Sequence, residues 1–355
     1  MATDLQGPNE TKVESILSQM APEDKKKLEE VSNECQIMFD KTKKTALIVG
    51  AIILPLSLLG LFNDVPTFVF MFVLSLAIVM TTYGVGKSRA NNFFKANVPN
   101  KIVKTVFGPS GSYHMKEGWT RNYISGIRLF RMGNIFQTRD KISGTVNGVD
   151  FTVADVTSGQ RTTHTDGRGH SYTTTTYYFQ GIVAQYEFNS KKVHGSLEIR
   201  ENEGGAGYSL IYNRSDNIDF EDIVFNRDFN VYSKDKLQAF YIITPQFIEA
   251  FKEIKRRIPG SLIFSIQEGR LIIAINGAHN NLSYSSKAKS ADALLESLIR
   301  ELLPYKWFVD ILNLDEDFGQ EALAKAKSAE RKARNKLEEK KQIDDDTFNS
   351  IKEEL

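Results

Sequence analysis

Residues 45–86 read TALIVGAIILPLSLLGLFNDVPTFVFMFVLSLAIVMTTYGVG, and Asp64 is the one charged residue among them. The uncharged runs on either side, residues 45–63 and 65–86, are each long enough for a transmembrane helix, which needs roughly 20 apolar residues to cross the hydrocarbon core. Paired runs of this length, flanked by charge, are rare in soluble domains. The stretch therefore predicts a two-helix membrane hairpin. Asn63, Asp64 and Pro66 supply its turn: Asn and Asp favour turns, and Pro at a first helical position has a preset φ. Pro55 lies inside the first run and reads as a bend, which membrane helices tolerate.

Charge outside the runs sets the orientation. Lys41, Lys43 and Lys44 precede the first, and Lys87, Arg89, Lys95, Lys101 and Lys104 follow the second. The turn carries no positive charge. Lys and Arg concentrate on the cytoplasmic side of membrane helices, so both termini are expected in the cytoplasm of a two-span cell-membrane protein. The polar segment ahead of residue 45 is too long for a secretory signal, so the first run is expected to stay in the mature chain. Neither run contains Asp, Glu, Lys, Arg or His. Ion paths and proton relays usually need such groups, so the hairpin reads as an anchor, able to line a pore only within an oligomer.

Composition narrows the rest. The net charge of +1 over 355 residues argues against a dedicated nucleic-acid binder. A single cysteine, Cys35, excludes an intramolecular disulfide and fits a cytosolic region. The fold class expected is α+β: a transmembrane hairpin followed by a cytoplasmic antiparallel-sheet domain with flanking helices and a charged C-terminal helix. Residues 1–44 form a cytoplasmic amphipathic helical segment. Residues 45–86 form the hairpin, and 87–140 a helical stalk and entry to the soluble domain. Residues 141–314 form the α+β domain, and 315–355 a charged helical tail.

Within the first segment, residues 22–45 place Leu28, Val31, Cys35, Met38 and Phe39 on one helical face, which suits packing on protein or on lipid headgroups. Asn147-Gly148 between alternating runs is the strongest short hairpin signal, because a type I′ turn needs positive φ at both central residues. Residues 261–267 and 270–275 predict a second hairpin around Glu268-Gly269. Further strands are expected at 176–188, 193–200, 208–212 and 229–232. Thr244-Pro245 reads as an N-cap and first position of a helix carrying Phe247, Phe251, Ile254 and Ile258. Another helix is expected from Ser290, stopping before Pro304, with a third over 307–314.

No catalytic constellation emerges and no cofactor is implied. His164 and His170 bracket Thr165-Asp166-Gly167-Arg168-Gly169 and are the weak metal candidates, but their spacing matches no established ligand pattern. Two glycines, an Asp and runs of Thr fit a polar tip between strands. Gly204-Gly205-Ala206-Gly207 lacks the Lys-Ser/Thr of a phosphate loop and reads as a strand connection. Thr173–176 is β-prone, and Lys255-Arg256-Arg257 complements a helix C-terminus better than it marks a lipid site.

Three stretches resemble a bacterial membrane-protein family, domain of unknown function 3137, over residues 142–275. They are residues 140–151 (DKISGTVNGVDF), then Tyr178-Phe179-Gln180-Gly181, then Phe229-Asn230-Val231-Tyr232-Ser233 leading to Ile243-Thr244-Pro245-Gln246-Phe247. The resemblance implies a membrane protein with a cytoplasmic domain and supplies no catalytic residue. It also implies a LemA-type membrane protein as a partner. The C-terminus is similar to the short bacterial motif SHOCT, through Leu337-Glu338-Glu339, residues 343–348 (IDDDTF) and Ile351-Lys352-Glu353-Glu354-Leu355; Gln342 stands where a glycine often precedes the Ile. Asp344 can cap a short helix presenting Phe348, Ile351 and Leu355. Such a helix is too short to be stable alone, so it predicts docking or homo-oligomerisation. The function expected is a non-enzymatic scaffold at the cytoplasmic face, touching the lipid bilayer, a protein partner and no nucleic acid. An oligomeric transport or lipid-handling component is the alternative.

Overall fold

A computed structural model describes residues 9–59, 64–167, 169–187, 196–202, 209–258, 260–279, 282–285, 288 and 290–311. The described chain mixes α-helices with antiparallel strands, the α+β class expected, and divides into two compact units.

The first unit comprises residues 1–118, 138–145 and 280–306. Its helices are α1 (Asn9–Gln19), α2 (Pro22–Ser57), α3 (Val65–Asn97) and α4 (Pro99–Phe107). The amphipathic segment and the first apolar run are one continuous helix, with Pro55 inside its last turn. Leu28, Val31, Cys35 and Phe39 are buried, and the Cys35 thiol donates to the Ala90 carbonyl of α3 at 3.6 Å. That face packs on protein. Asp64 caps α3, accepting from the Thr67 N–H at 2.7 Å, and Pro66 sits in the first turn. Asn63 lies outside the described residues. The stalk expected over 87–107 breaks at Val98, because Pro99 has no N–H to extend the α3 ladder and instead opens α4. Strand β1 (Ser112–His114) pairs antiparallel with β2 (Ile135–Val146) at Ser112↔Ser143.

The second unit comprises residues 119–137, 146–279 and 307–355. It holds α5 (Arg121–Ile127) and seven antiparallel strands of the sheet, in the order β3-β4-β9-β8-β5-β7-β6. The strands are β3 (Val149–Thr165), β4 (Ser171–Glu187), β5 (Leu197–Glu201), β6 (Asn217–Ile218), β7 (Phe229–Ser233), β8 (Ser261–Gln267) and β9 (Arg270–Asn276). Asn147 and Gly148 have φ of 50° and 81°, and Glu268 and Gly269 have 49° and 75°, as the two expected hairpin turns require.

Both faces of this sheet are covered. Leu262, Phe264 and Ile266 alternate toward α8 (Pro245–Arg257), where Phe264 meets Phe247 and Phe251 at ring-centroid distances of 5.6 Å. Phe225 of α6 (Ile223–Asp228) and Phe229 complete that ring cluster. Each such pair contributes roughly 0.5–1.5 kcal/mol beyond area burial. The opposite face packs under Ile124, Ile127, Leu129 and Phe130 from α5 and its exit, with Phe130 stacked on Phe179 at 3.9 Å. A further short helix, α7 (Lys236–Ile242), precedes α8.

Two expectations are corrected. Residues 209–212 form bends, not a strand: the Ser209 hydroxyl accepts from the Ile211 and Tyr212 N–H groups and turns the chain. The helix opened by Ser290 does not stop at Pro304; α9 runs Ala291–Ile311 in one piece. Burial of Leu302, Leu303, Tyr305, Phe308 and Val309 on both sides of Pro304 outweighs the lost hydrogen bond. Residues 312–355, with the expected tail and Phe348, Ile351 and Leu355, lie outside the described residues.

Candidate functional site

The first unit presents its most distinctive surface on α2 and α3, which run antiparallel against each other. Gly50 faces Val79, whose side chain a Cβ at Gly50 would meet at an ordinary contact distance of 3.5 Å. The Ser75 hydroxyl donates to the Met71 carbonyl at 2.7 Å and reaches Ile53 O at 3.4 Å. Phe39 meets Tyr83 edge-on at 6.0 Å. Gly86 permits the closest approach, since a Cβ there would overlap Thr42. Small residues at such crossings are how helices pack when surrounded by lipid.

The outward faces are apolar. Leu47, Ile48, Ile52 and Leu56 on α2, and Val69, Phe70, Val73 and Leu74 on α3, are each about half exposed or more. Among the described residues one helix, beginning at Val65, is long and apolar enough to cross a membrane; only 6% of its most apolar window is buried. A soluble core helix of that composition would be mostly buried. Helix α2 contributes its apolar residues from Thr45 to Ser57, preceded by Asp40, Lys41, Lys43 and Lys44. At the charged end, Lys41, Lys43, Lys44, Lys87 and Arg89 are all exposed, and Lys43 lies 4.7 Å from the Phe39 ring centroid.

Beyond Arg89, α3 is fastened. Lys95 is buried, and its ammonium donates to Asp140 Oδ2 at 2.6 Å. The Tyr113 hydroxyl donates to Asp140 Oδ1 at 2.5 Å, and Arg139 lies 3.5 Å from Oδ2. Asp140 is fully buried with φ of 55°, a left-handed conformation that Asp tolerates. Lys101 pairs with Asp24 near the surface. The Cys35 thiol is pushed up to about 11, first by burial and then by Glu34.

In the second unit a polar band crosses the sheet face beneath α5. Tyr123 donates to Gln185, which donates to Glu187 at 2.8 Å. Gln267 donates to Ile127 O at 3.1 Å and to Ser265 at 2.9 Å. Arg200 pairs with Glu198 and donates to the Leu129 carbonyl, with both side chains buried. Burial raises the Glu198 carboxyl above its ordinary value, against the opposing pull of Arg200. Burial likewise pushes Tyr123 up to about 12. These groups fix the α5 segment to the sheet. Sequence reading missed them: Leu197–Glu201 alternates apolar and charged residues as a half-solvated strand would, and its cover comes from residues near 129, far away in the chain.

The histidines lie apart from both features. His164 sits on β3 and stacks on Tyr172 at 5.0 Å. His170, past the turn, places Nδ1 3.2 Å from Asp166 Oδ2, and its N–H donates to Oδ1 at 2.8 Å. Asp166 and His170 thus close a turn. Among the described residues no group of three or more His, Cys, Asp or Glu could hold a metal. Thr173–176 lies in β4, paired with residues 160–163. Lys255 contacts Gly260 O at 2.6 Å and Glu201 at 2.7 Å, and Arg256 pairs with Glu253. Residues 204–207 lie outside the described residues.

Comparison with curated proteins gave no match, and comparison with solved structures gave none. One family model matches residues 177–314, from β4 through α9, and it is described as Protein of unknown function (DUF3137). That match supports the family which the sequence resembles through its Tyr178–Gly181 and Phe229–Phe247 motifs.

Proposed function

We propose that this chain is a non-enzymatic, membrane-anchored interaction component. On this reading α2 and α3 cross the cell membrane as a hairpin, both termini lie in the cytoplasm, and the sheet-bearing unit works at the cytoplasmic face. The supporting observation is the direction of the apolar side chains: Ile48, Ile52, Phe70 and Val73 point away from the protein. Exposed apolar surface on that scale is a liability in water and an asset in lipid. The polar band of the second unit ties elements together, which suits a rigid binding platform. The partner proposed is a LemA-type membrane protein or a second copy of this chain. A lipid-handling role is the second reading, favoured by an open groove on the hairpin.

Topology mapping tests the proposal. In a Cys35→Ala background, Asp64→Cys is expected to react with a membrane-impermeant maleimide in intact cells, and Glu117→Cys only after lysis. Release of the protein by alkaline carbonate, or equal labelling at both positions, would sink it. Crosslinking followed by purification from native membranes is expected to recover a defined complex; monomers alone would count against the scaffold role.

A further inference from the structure

We infer that the groove between α2 and α3 binds one anionic phospholipid, headgroup at Lys41 and Arg89 and acyl chain along α3. The groove measures about 860 Å³ and is open to one side. Its lining on α3 recurs at helical spacing from Leu74 to Arg89, about 22 Å at 1.5 Å per residue. One end carries Lys41 and Arg89, exposed and with no acidic residue in the lining. The far end carries Leu74, Ala77 and Ile78.

The middle of the groove decides the ligand class. Thr42, Thr81 and Thr82 donate their hydroxyls to Met38, Ala77 and Ile78 carbonyls at 2.7–2.9 Å. These hydroxyls are committed to their own helices, so the wall they form offers methyl groups. A free phosphate or nucleotide would find cations at one end and about 18 Å of mostly apolar wall beyond them. A phospholipid matches both ends. Basic pockets between membrane helices on the cytoplasmic side bind anionic headgroups. From Gly86 to Leu74 the groove runs about 18 Å, comparable with one leaflet of a hydrocarbon core about 30 Å thick. Gly86 keeps the groove floor closed by letting Thr42 approach.

This inference rests on the membrane reading, and its test separates the two. Full-length protein is reconstituted in bilayers of equal phosphatidylcholine and phosphatidylglycerol, and flotation after carbonate washing reports insertion. Native mass spectrometry of the inserted protein is then expected to show a one-to-one phosphatidylglycerol adduct. Lys41→Gln with Arg89→Gln weakens that adduct about 30-fold, taking about fivefold per cation near a surface. Lys43→Gln with Lys44→Gln leaves it in place. Ala77→Trp fills the apolar end and removes the adduct with both cations present. Excess inorganic phosphate leaves it unchanged. Failure to float sinks the membrane reading. Normal flotation with equal adducts of both lipids, with an adduct indifferent to Lys41 and Arg89, or with displacement by phosphate, overturns the inference alone.

Discussion

Asp140→Asn is expected to destabilise the first unit more than its near-identical shape would imply. Asn tolerates the left-handed backbone at this position, so the φ of 55° costs little extra. The change removes a charge and leaves the Lys95 ammonium, now 2.6 Å from a carboxylate, buried beside a neutral amide. Breaking a buried ion pair in this way costs about 3–5 kcal/mol. At roughly 2–4 °C per kcal/mol, the melting temperature should fall by about 6–20 °C. Lys95→Met costs less, about 1–3 kcal/mol, because Asp140 keeps the Tyr113 hydroxyl and the exposed Arg139. The double variant carries neither charge and should be more stable than Asp140→Asn alone. The assay is thermal unfolding of the full chain in one detergent, run as a double-mutant cycle. A single Asp140→Asn shift within about 2 °C of wild type, the size of a surface substitution, would refute the reasoning. Strict additivity of the two changes would do the same.

Glu198→Gln should cost about 1–3 kcal/mol, less than a fully ionised buried pair, because burial already favours the neutral carboxyl beside Arg200; an unchanged unfolding midpoint would show the pair to be dispensable. The raised Glu198 carboxyl means the folded state holds a proton that the unfolded chain has released. Its contribution is therefore present below the ordinary value of 4.5 and declines as pH rises through the folded value, and a stability–pH series in which Glu198→Gln keeps the same slope would contradict this. Cys35, with its thiol held up to about 11 by burial, should resist alkylation at pH 8 until the chain is denatured; rapid labelling of the native protein would mean the α2–α3 contact is open. Phe251→Ala should lose about 3–5 kcal/mol through the cavity left among Phe225, Phe229, Phe247 and Phe264, measured by denaturant titration.

Local rules were legible in the sequence and distant ones were not. Asn147-Gly148 and Glu268-Gly269 announce their turns because four φ angles and the flanking alternation carry the information. Thr244 caps α8 for an equally local reason, its hydroxyl accepting from Phe247 N at 3.2 Å. The apolar stretch of α3 needs no partner to be recognised. Glu198 and Arg200 defeat this kind of reading, since their burial depends on Leu129 and its neighbours arriving from elsewhere. Pro304 misleads because the local rule for proline is overruled by packing on both sides of it. The 209–212 segment misleads because one serine hydroxyl redirects a stretch whose residues are otherwise strand-like. For the candidate surface, the apolar stretch of α3 was visible as composition, while the groove required knowing which faces of α2 and α3 turn toward each other.

Helix α3 is one unbroken rod of 33 residues, about 50 Å long, against a hydrocarbon core of about 30 Å. On the proposed placement, roughly 20 Å of it stands in the cytoplasm without a joint before Val98. A rod clamped beyond the surface cannot change its lean within the lipid while its lower end stays still. On that placement Lys95 and Asp140 form the clamp, and a thinner or thicker bilayer loads the strand that carries Asp140. On that proposed placement, bilayer thickness is a mechanical input that reaches the far end of α3 through the Lys95–Asp140 contact.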